Sequence, residues 1–492
     1  MNTRGEDTPP PSTQPIRSRM SREIIPQSQT GSATGRWQQL GHRQRCKIVG
    51  RARQGIAAAC DELSTLCESG QRTDPIETVS GELIPLCAAI DFIRRRGAGI
   101  LRTRTCGWLG RPVWLWGVRS EVIRVARGDV LILAAWNYPL LLPGVQIAQA
   151  LAAGNRVFVK PAPGCEAVSR RLADCFIEAG VPDELLCVLP SATQAAIDQI
   201  DEGVDLVVLT GSAATGRAVL RQCAETLTPT IMELSGCDAV IIGPGADLEN
   251  AAAAIRFGLM FNSGATCIGP RRIFVHQAVK PAFIESLRRE FAGVTAVQLH
   301  PAAAASVRAV VDETISKGAT NVLAVTTTDA ENFSPIIFDG VSSDWTIASG
   351  DIFAPVSSLI SYDDLSDAVL GVNRCRYRLA ASVFANGKAG RRIAAQLDVG
   401  SVTINDIIFP TADPRLPFGG RGQSGFSVTR GVEGLVEMTV PKVVAIHRGR
   451  LRLHLMPRKP GYTDALAGSL TLTHGRISEK LGALRRIFRG LN

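Results

Sequence analysis

VLILAAWNYPLLLPGVQIAQALAAG, residues 130–154, holds no charged side chain and is long enough to span a bilayer. Asn137, Gln146 and Gln149 interrupt it, and Pro139 and Pro143 cut it near its middle. The interruptions predict a buried strand over 130–135, a turn, and a buried helix over about 141–153, not a membrane span. Arg156–Lys160 reads as the next strand. Strand, helix, strand at this spacing makes a βαβ unit, and a parallel, doubly wound sheet follows from it.

The alternation continues along the chain. Leu186–Leu189, Asp205–Leu209 and Thr230–Leu234 read as further strands separated by helical stretches. A second series begins with Ala239–Ile242, a helix over 248–262, Arg272–Val275 and a helix from about 279. With Ala381–Phe384 and Ser401–Ile404 it predicts a second α/β domain. Two or three helices are expected over 40–100. The run from 300 to 350 has weak periodicity, and no internal repeat is visible.

Composition sets the outer bounds. Of 492 residues, 45% are apolar and 20% charged, which excludes general disorder, a collagen-like fibre and a small disulfide scaffold. The net charge of +9 is uneven: residues 1–54 and 449–492 carry +7 each, leaving −5 on residues 55–448. A mildly acidic body with basic ends does not fit a nucleic-acid-binding domain, whose charge lies on one folded face. The twelve cysteines contain no C-x-x-C pair and the six histidines no ligand-like spacing, so neither disulfides nor a metal site are expected. Reduced thiols point to the cytoplasm. Residues 1–35 are Pro/Ser/Thr/Arg-rich, without the apolar core of a secretory signal, and read as a disordered basic arm.

Several short segments are candidates for chemistry. Gly211-Ser-Ala-Ala-Thr-Gly216 follows a strand and opens a helix, where backbone N–H groups and the helix dipole favour a pyrophosphate. A plain tight turn is equally compatible. Gly420-x-Gly422-x-x-Gly425 matches a dinucleotide fingerprint in letters, but follows no convincing strand and reads as a glycine-rich turn. Glu233 is an acid in an apolar strand, where burial raises the pKa toward that of a useful base. The bland alternative is a surface glutamate at a strand end. Cys267 sits among small residues in Asn262-Ser-Gly-Ala-Thr-Cys-Ile-Gly269, which lets a substrate approach closely, although a lone cysteine is usually a small buried hydrophobe. Asn137, in Trp136-Asn-Tyr-Pro139, either offers an amide to an oxyanion or caps a turn.

Taken together and in order, these segments resemble the aldehyde dehydrogenase superfamily. The resemblance rests on Trp136-Asn-Tyr-Pro139, Gly154-Asn155 through Lys160-Pro161, Gly211-Ser…Gly216, Glu233-Leu234, Gly264…Cys267, Phe353…Pro355 and Pro417-Phe-Gly-Gly…Ser424-Gly425. It runs from roughly 55 to 445. It implies Cys267 as nucleophile, Glu233 as general base and Asn137 as the side-chain half of an oxyanion hole completed by the Cys267 N–H. It further implies that Trp136, Lys160, Gly211, Ser212, Gly216, Asp351 and Phe353 contact the cofactor, NAD. The reaction it implies is oxidation of an aldehyde to a carboxylic acid through a cysteine thiohemiacetal and thioester.

Departures from the family pattern qualify these expectations. Lys160-Pro-Ala-Pro163 puts Pro163 where a ribose-binding glutamate is common, which removes repulsion toward a 2′-phosphate and leaves room for NADP. Asp351-Ile-Phe-Ala-Pro355 carries an aspartate in place of the family's glutamate. These changes keep open a non-catalytic scaffold of the same fold, or a CoA-linked acylating enzyme, although thiolysis does not need the retained Glu233.

The resemblance also divides the chain. It assigns 36–107 and 127–235 to a doubly wound cofactor domain, 236–425 to an α/β catalytic domain, and 108–126 with 426–448 to a small β oligomerisation element. A homodimer or larger assembly is implied, with Trp114, Leu115, Trp116 and Val118 expected in an exposed strand. The basic tail, 449–492, ends in a candidate amphipathic helix with Ile477, Leu481, Leu484, Phe488 and Leu491 on one face. That helix is suited either to docking on the protein's own body or to peripheral membrane contact.

Overall fold

The computed structural model describes residues 33–115, 117–299, 301–323, 332–448, 452–455 and 457–491. Nearly all of the expected basic arm, and Trp116, therefore lie outside the described residues. The chain forms two compact units, one of Met1–Arg102 with Arg124–Val440, the other of Thr103–Ile123 with Pro441–Asn492.

The first unit holds two largely parallel sheets. In the six-stranded sheet the order is Gly425–Phe426, Thr230–Leu234, Leu206–Gly211, Asp129–Leu133, Arg156–Lys160 and Leu186–Val188. Only Gly425–Phe426 runs antiparallel. The stretch 130–154 behaves as its pattern predicts: strand Asp129–Leu133, then helix Leu141–Ala153, every residue of which is buried. Pro143 is tolerated because it falls in the first turn, where backbone N–H groups have no helical partner. Gly154 ends the helix in left-handed backbone, and its last carbonyls are capped from the helix His42–Ala58 by Arg45, whose Nε donates to Ala152 O at 3.1 Å. Among the described residues no helix is long and apolar enough to cross a membrane.

The seven-stranded sheet has the order Thr320–Asn321, Ile336–Asp339, Val356–Tyr362, Pro270–His276, Asp238–Ile242, Ala380–Phe384 and Ser401–Ile404. The α/β expectation holds in both sheets. What the pattern left unread was the run from 300 to 350. It supplies the helix Pro301–Ser316 and three short strands, Thr320–Asn321, Asn332–Phe333 and Ile336–Asp339. Alanine-rich turns and two-residue strands give no clear period.

Most of the three-stranded sheet Arg104–Cys106, Val118–Ala126 and Thr439–His447 lies in the second unit. The expected strand through Trp114 is absent. Val113–Leu115 forms a single 3₁₀ turn, because Gly107, Gly110 and Pro112 break the extended run, and Val118 begins the next strand. The tail folds into two helices, Tyr462–His474 and Lys480–Leu491. The Leu491 side chain lies outside the described residues.

Candidate active site

At the carboxyl ends of the parallel strands in the first sheet lies a cleft of about 1000 Å³. Ligands of doubly wound folds bind at that edge, because helix N-termini and short loops meet there. Nine of the ten residues singled out from the sequence line it: Trp136, Asn137, Lys160, Gly211, Ser212, Glu233, Cys267, Asp351 and Phe353. The tenth, Gly216, does not. It is buried in the helix Ala213–Ala224, where a Cβ would meet Leu234 Cδ1 at 2.8 Å. Its smallness serves helix–strand packing.

Cys267 follows a 3₁₀ turn, Phe261–Gly264, in which Asn262 and Ser263 adopt left-handed backbone, φ 53° and 50°. Non-glycine residues hold that conformation only where surroundings impose it. Here the surroundings are a buried polar network. Arg72 and Glu82 form an ion pair from which water is excluded. Glu82 Oε2 accepts from the N–H groups of Leu140 and Leu141, at 2.7 and 2.9 Å. Arg72 Nη2 donates to Asn137 O at 2.5 Å and its Nε to Asn262 Oδ1 at 3.2 Å. Asn262 Nδ2 donates to the same Asn137 carbonyl at 2.8 Å. The side chain of Asn137 closes the circuit, its Nδ2 donating to Ala265 O at 2.8 Å.

Glu233 lies on the strand Thr230–Leu234, between Leu206–Gly211 and the late-arriving Gly425–Phe426. Its Oε2 accepts from Thr429 Oγ1 at 2.9 Å, while its Oε1 is buried without a hydrogen-bond partner among the described residues. Burial pushes the carboxyl above the usual range, and nearby Arg430 and the Thr429 hydroxyl act against it. The Cys267 thiol is also held high, first by burial and then by the negative charge of Glu233 and Asp238.

The far end of the cleft is built differently. Lys160 ends its strand half-buried; burial lowers its ammonium pKa, with Glu166 opposing. Ser212 caps the helix Ala213–Ala224, its Oγ accepting from Thr215 N at 3.1 Å, and Gly211, Ser212 and Thr215 all line the cleft. Pro163 also lines it. Between the two ends, the rings of Trp136 and Phe353 stand 6.1 Å apart, tilted by 49°. Asp351 is mostly buried and hydrogen-bonded to the Ser235 side chain; burial raises its carboxyl, against Ser235 and Arg271. A helix N-terminus, an ammonium group and an aromatic pair in one cleft suit the pyrophosphate, ribose and nicotinamide of a dinucleotide. Among the described residues no His/Cys/Asp/Glu group could hold a metal ion.

Sequence reasoning missed Arg72, Glu82, Asn262, Thr429 and Arg430. Arg72 precedes the short helix Pro75–Thr78 and Glu82 lies within the single π-helical turn Val79–Leu83, with nothing in local pattern to distinguish them from surface charges.

A family model described as the aldehyde dehydrogenase family matches residues 21–444. The 4,4'-diapolycopene aldehyde oxidase of Methylomonas sp is 29% identical over 440 residues, covering 87% of this chain and 81% of that protein. The betaine aldehyde dehydrogenase of Brucella melitensis is also 29% identical over 440 residues, covering 85% and 88%. A Mycobacterium tuberculosis aldehyde dehydrogenase, solved in complex with NAD+, matches with a TM-score of 0.77 at 28% identity, over 85% of this chain and 88% of that one. Fold, cleft and relatives thus agree: the chain belongs to the aldehyde dehydrogenase family, NAD(P)-dependent enzymes that oxidise aldehydes.

Proposed function

We propose that Cys267 is the nucleophile, Glu233 the general base and Asn137 the oxyanion donor of this chain's aldehyde oxidation. One observation carries the assignment: three residues far apart in sequence line a single cleft. The Cys267 thiol passes its proton to solvent water, and the thiolate sulfur bonds to the aldehyde carbon as the C=O π bond breaks, placing negative charge on the carbonyl oxygen. One Nδ2 proton of Asn137 is committed to Ala265 O; the amide's second proton is the donor for that oxyanion. Ser212 would hold the pyrophosphate of NAD(P), Lys160 its adenosine ribose and Phe353 its nicotinamide, and the chemistry the cofactor would supply is a hydride acceptor beside the aldehyde carbon. Cys267 then holds a thioester. Glu233 takes a proton from water, the hydroxide oxygen bonds to the acyl carbon, and the C–S bond breaks to return the thiolate. The raised carboxyl pKa makes Glu233 a stronger base than a solvated glutamate.

The same reading makes the enzyme a cytoplasmic homodimer or larger assembly. Val443 and Ile446, exposed on the strand Thr439–His447, support an interface there.

The test is a pair of variants. Cys267→Ala should lower NAD(P)H formation at least about 10³-fold. Glu233→Gln should give a stoichiometric burst of NAD(P)H followed by turnover slowed about 10²-fold or more. Normal steady turnover in either variant would remove that residue from the mechanism.

A further inference from the structure

The tail helices Tyr462–His474 and Lys480–Leu491 pack through small residues. A Cβ on Gly468 would meet Ala483 O at 2.7 Å, and one on Gly490 would meet Gly461 O at 2.4 Å. With these small residues turned inward, 3.6 residues per turn sets the outward faces. Leu481, Leu484 and Phe488, at i, i+3 and i+7, form one stripe, 68%, 40% and 67% exposed. On the antiparallel partner helix, Leu466 and Leu470 fall on the same side of the pair and are equally open, 70% and 64%. Ile477, in the connection, is 87% exposed.

Charge distinguishes this face from an ordinary interface. Residues 449–492 carry nine Lys/Arg and two Asp/Glu. Of the two acids, Asp464 pairs with Arg486, and Glu479 accepts from the Arg476 backbone N–H. Among the described residues Lys480, Arg485 and Arg489 are in no ion pair, and Lys480 and Arg485 border the apolar stripe. A second copy of the same hairpin would set like charges against one another. A nucleic acid would leave the leucines and phenylalanine in water. Apolar side chains bordered by basic ones on a short helix suit a phase that is apolar inside and anionic at its surface.

We propose that this hairpin is a docking surface for an anionic lipid bilayer. It lies in the interfacial plane, with Leu481, Leu484 and Phe488 at the acyl boundary and Lys480, Arg485 and Arg489 among the headgroups. The proposal does not depend on the roles given to Cys267, Glu233 or Asn137.

The experiment is flotation of the full-length protein with vesicles of phosphatidylcholine alone, or with about 30% phosphatidylglycerol, at low salt and in 0.5 M salt. The full chain should float with the anionic vesicles about tenfold more than with the neutral ones, and salt should release it. Leu484→Ser with Phe488→Ser should cut the bound fraction about tenfold, and Arg485→Gln with Arg489→Gln should cut it severalfold. Both double variants should keep wild-type NAD(P)H formation with a short soluble aldehyde, which reports an intact fold. The proposal is overturned if the full chain ignores anionic vesicles, or if both variants float as it does. It is equally overturned if the Leu484/Phe488 variant changes only the sedimenting mass, since the stripe would then be an interface between copies.

Discussion

Around Asn137 and Cys267 the backbone is fixed by buried charge: the Arg72–Glu82 pair, two asparagines and four backbone groups share one hydrogen-bonded circuit. Around Lys160 and Ser212, at the other end of the same cleft, there is no such brace among the described residues. The contacts there are a helix cap, one half-buried ammonium and a proline. The contrast follows from what each end does in the proposed function. An oxyanion donor misplaced by an ångström loses most of its effect, because the charge it stabilises appears at one point. A ribose and a pyrophosphate are held by several weak contacts, and one can change without loss of the rest. The braced end should therefore fail abruptly on substitution, and the open end should drift.

The largest effect is expected from the brace. Glu82→Ala leaves the Arg72 guanidinium buried without its carboxylate and should cost about 3–5 kcal/mol of stability, read by urea denaturation. In protein that still folds, kcat should fall while KM for the dinucleotide stays unchanged. Stability within 1 kcal/mol of wild type would show that the two ends are not differently built. An intermediate effect is expected at the open end. Pro163→Glu puts a carboxylate beside the 2′-position and should raise KM for NADP about tenfold, with little change for NAD. A matching loss for both cofactors would mean that this position acts through backbone shape and not charge.

The smallest effect concerns protons. The Thr429 hydroxyl holds the Glu233 carboxyl down against the rise caused by burial. Thr429→Val removes that hydrogen bond, so the carboxyl pKa should rise further. In its proposed role Glu233 acts as base only when ionised, so the acid limb of the kcat–pH profile should move to higher pH by less than about one unit. Movement to lower pH would break the assigned link.

The contrast between the two ends also governs what could be read from the amino-acid order. The residues proposed to do the chemistry stand out locally: Cys267 among small residues, Glu233 as an acid in an apolar strand, and Asn137 just beyond the end of another such strand. The strands were legible because parallel strands buried on both faces are continuous apolar runs, as in Ile231-Met232 and Ala239–Ile242. The brace was not legible. Arg72 meets Asn137, and Glu82 meets Leu140 and Leu141, across more than fifty residues of chain, and a charged side chain carries no local sign that it is buried. The helix Pro301–Ser316, whose Ser306, Val307 and Val310 line the cleft, was missed because its alanine-rich first turns leave little amphipathic contrast. Gly420-x-Gly422-x-x-Gly425 shows the reverse error that spacing alone invites. Gly425, at φ 102°, is needed because a Cβ would meet Met232 O at 1.9 Å as the chain passes Glu233.

That passage has a consequence for biosynthesis. The strand bearing Glu233 gains its outer neighbour only when Phe426 has left the ribosome, roughly 190 residues later. At typical synthesis rates this is a wait of about 10–40 s. Throughout it, a nascent chain that has already formed the inner strands carries an open sheet edge, the kind of surface that pairs with other chains. Nascent chains halted before residue 425 should therefore be inactive and dependent on chaperones, and Glu233 should reach its final surroundings only near the end of translation.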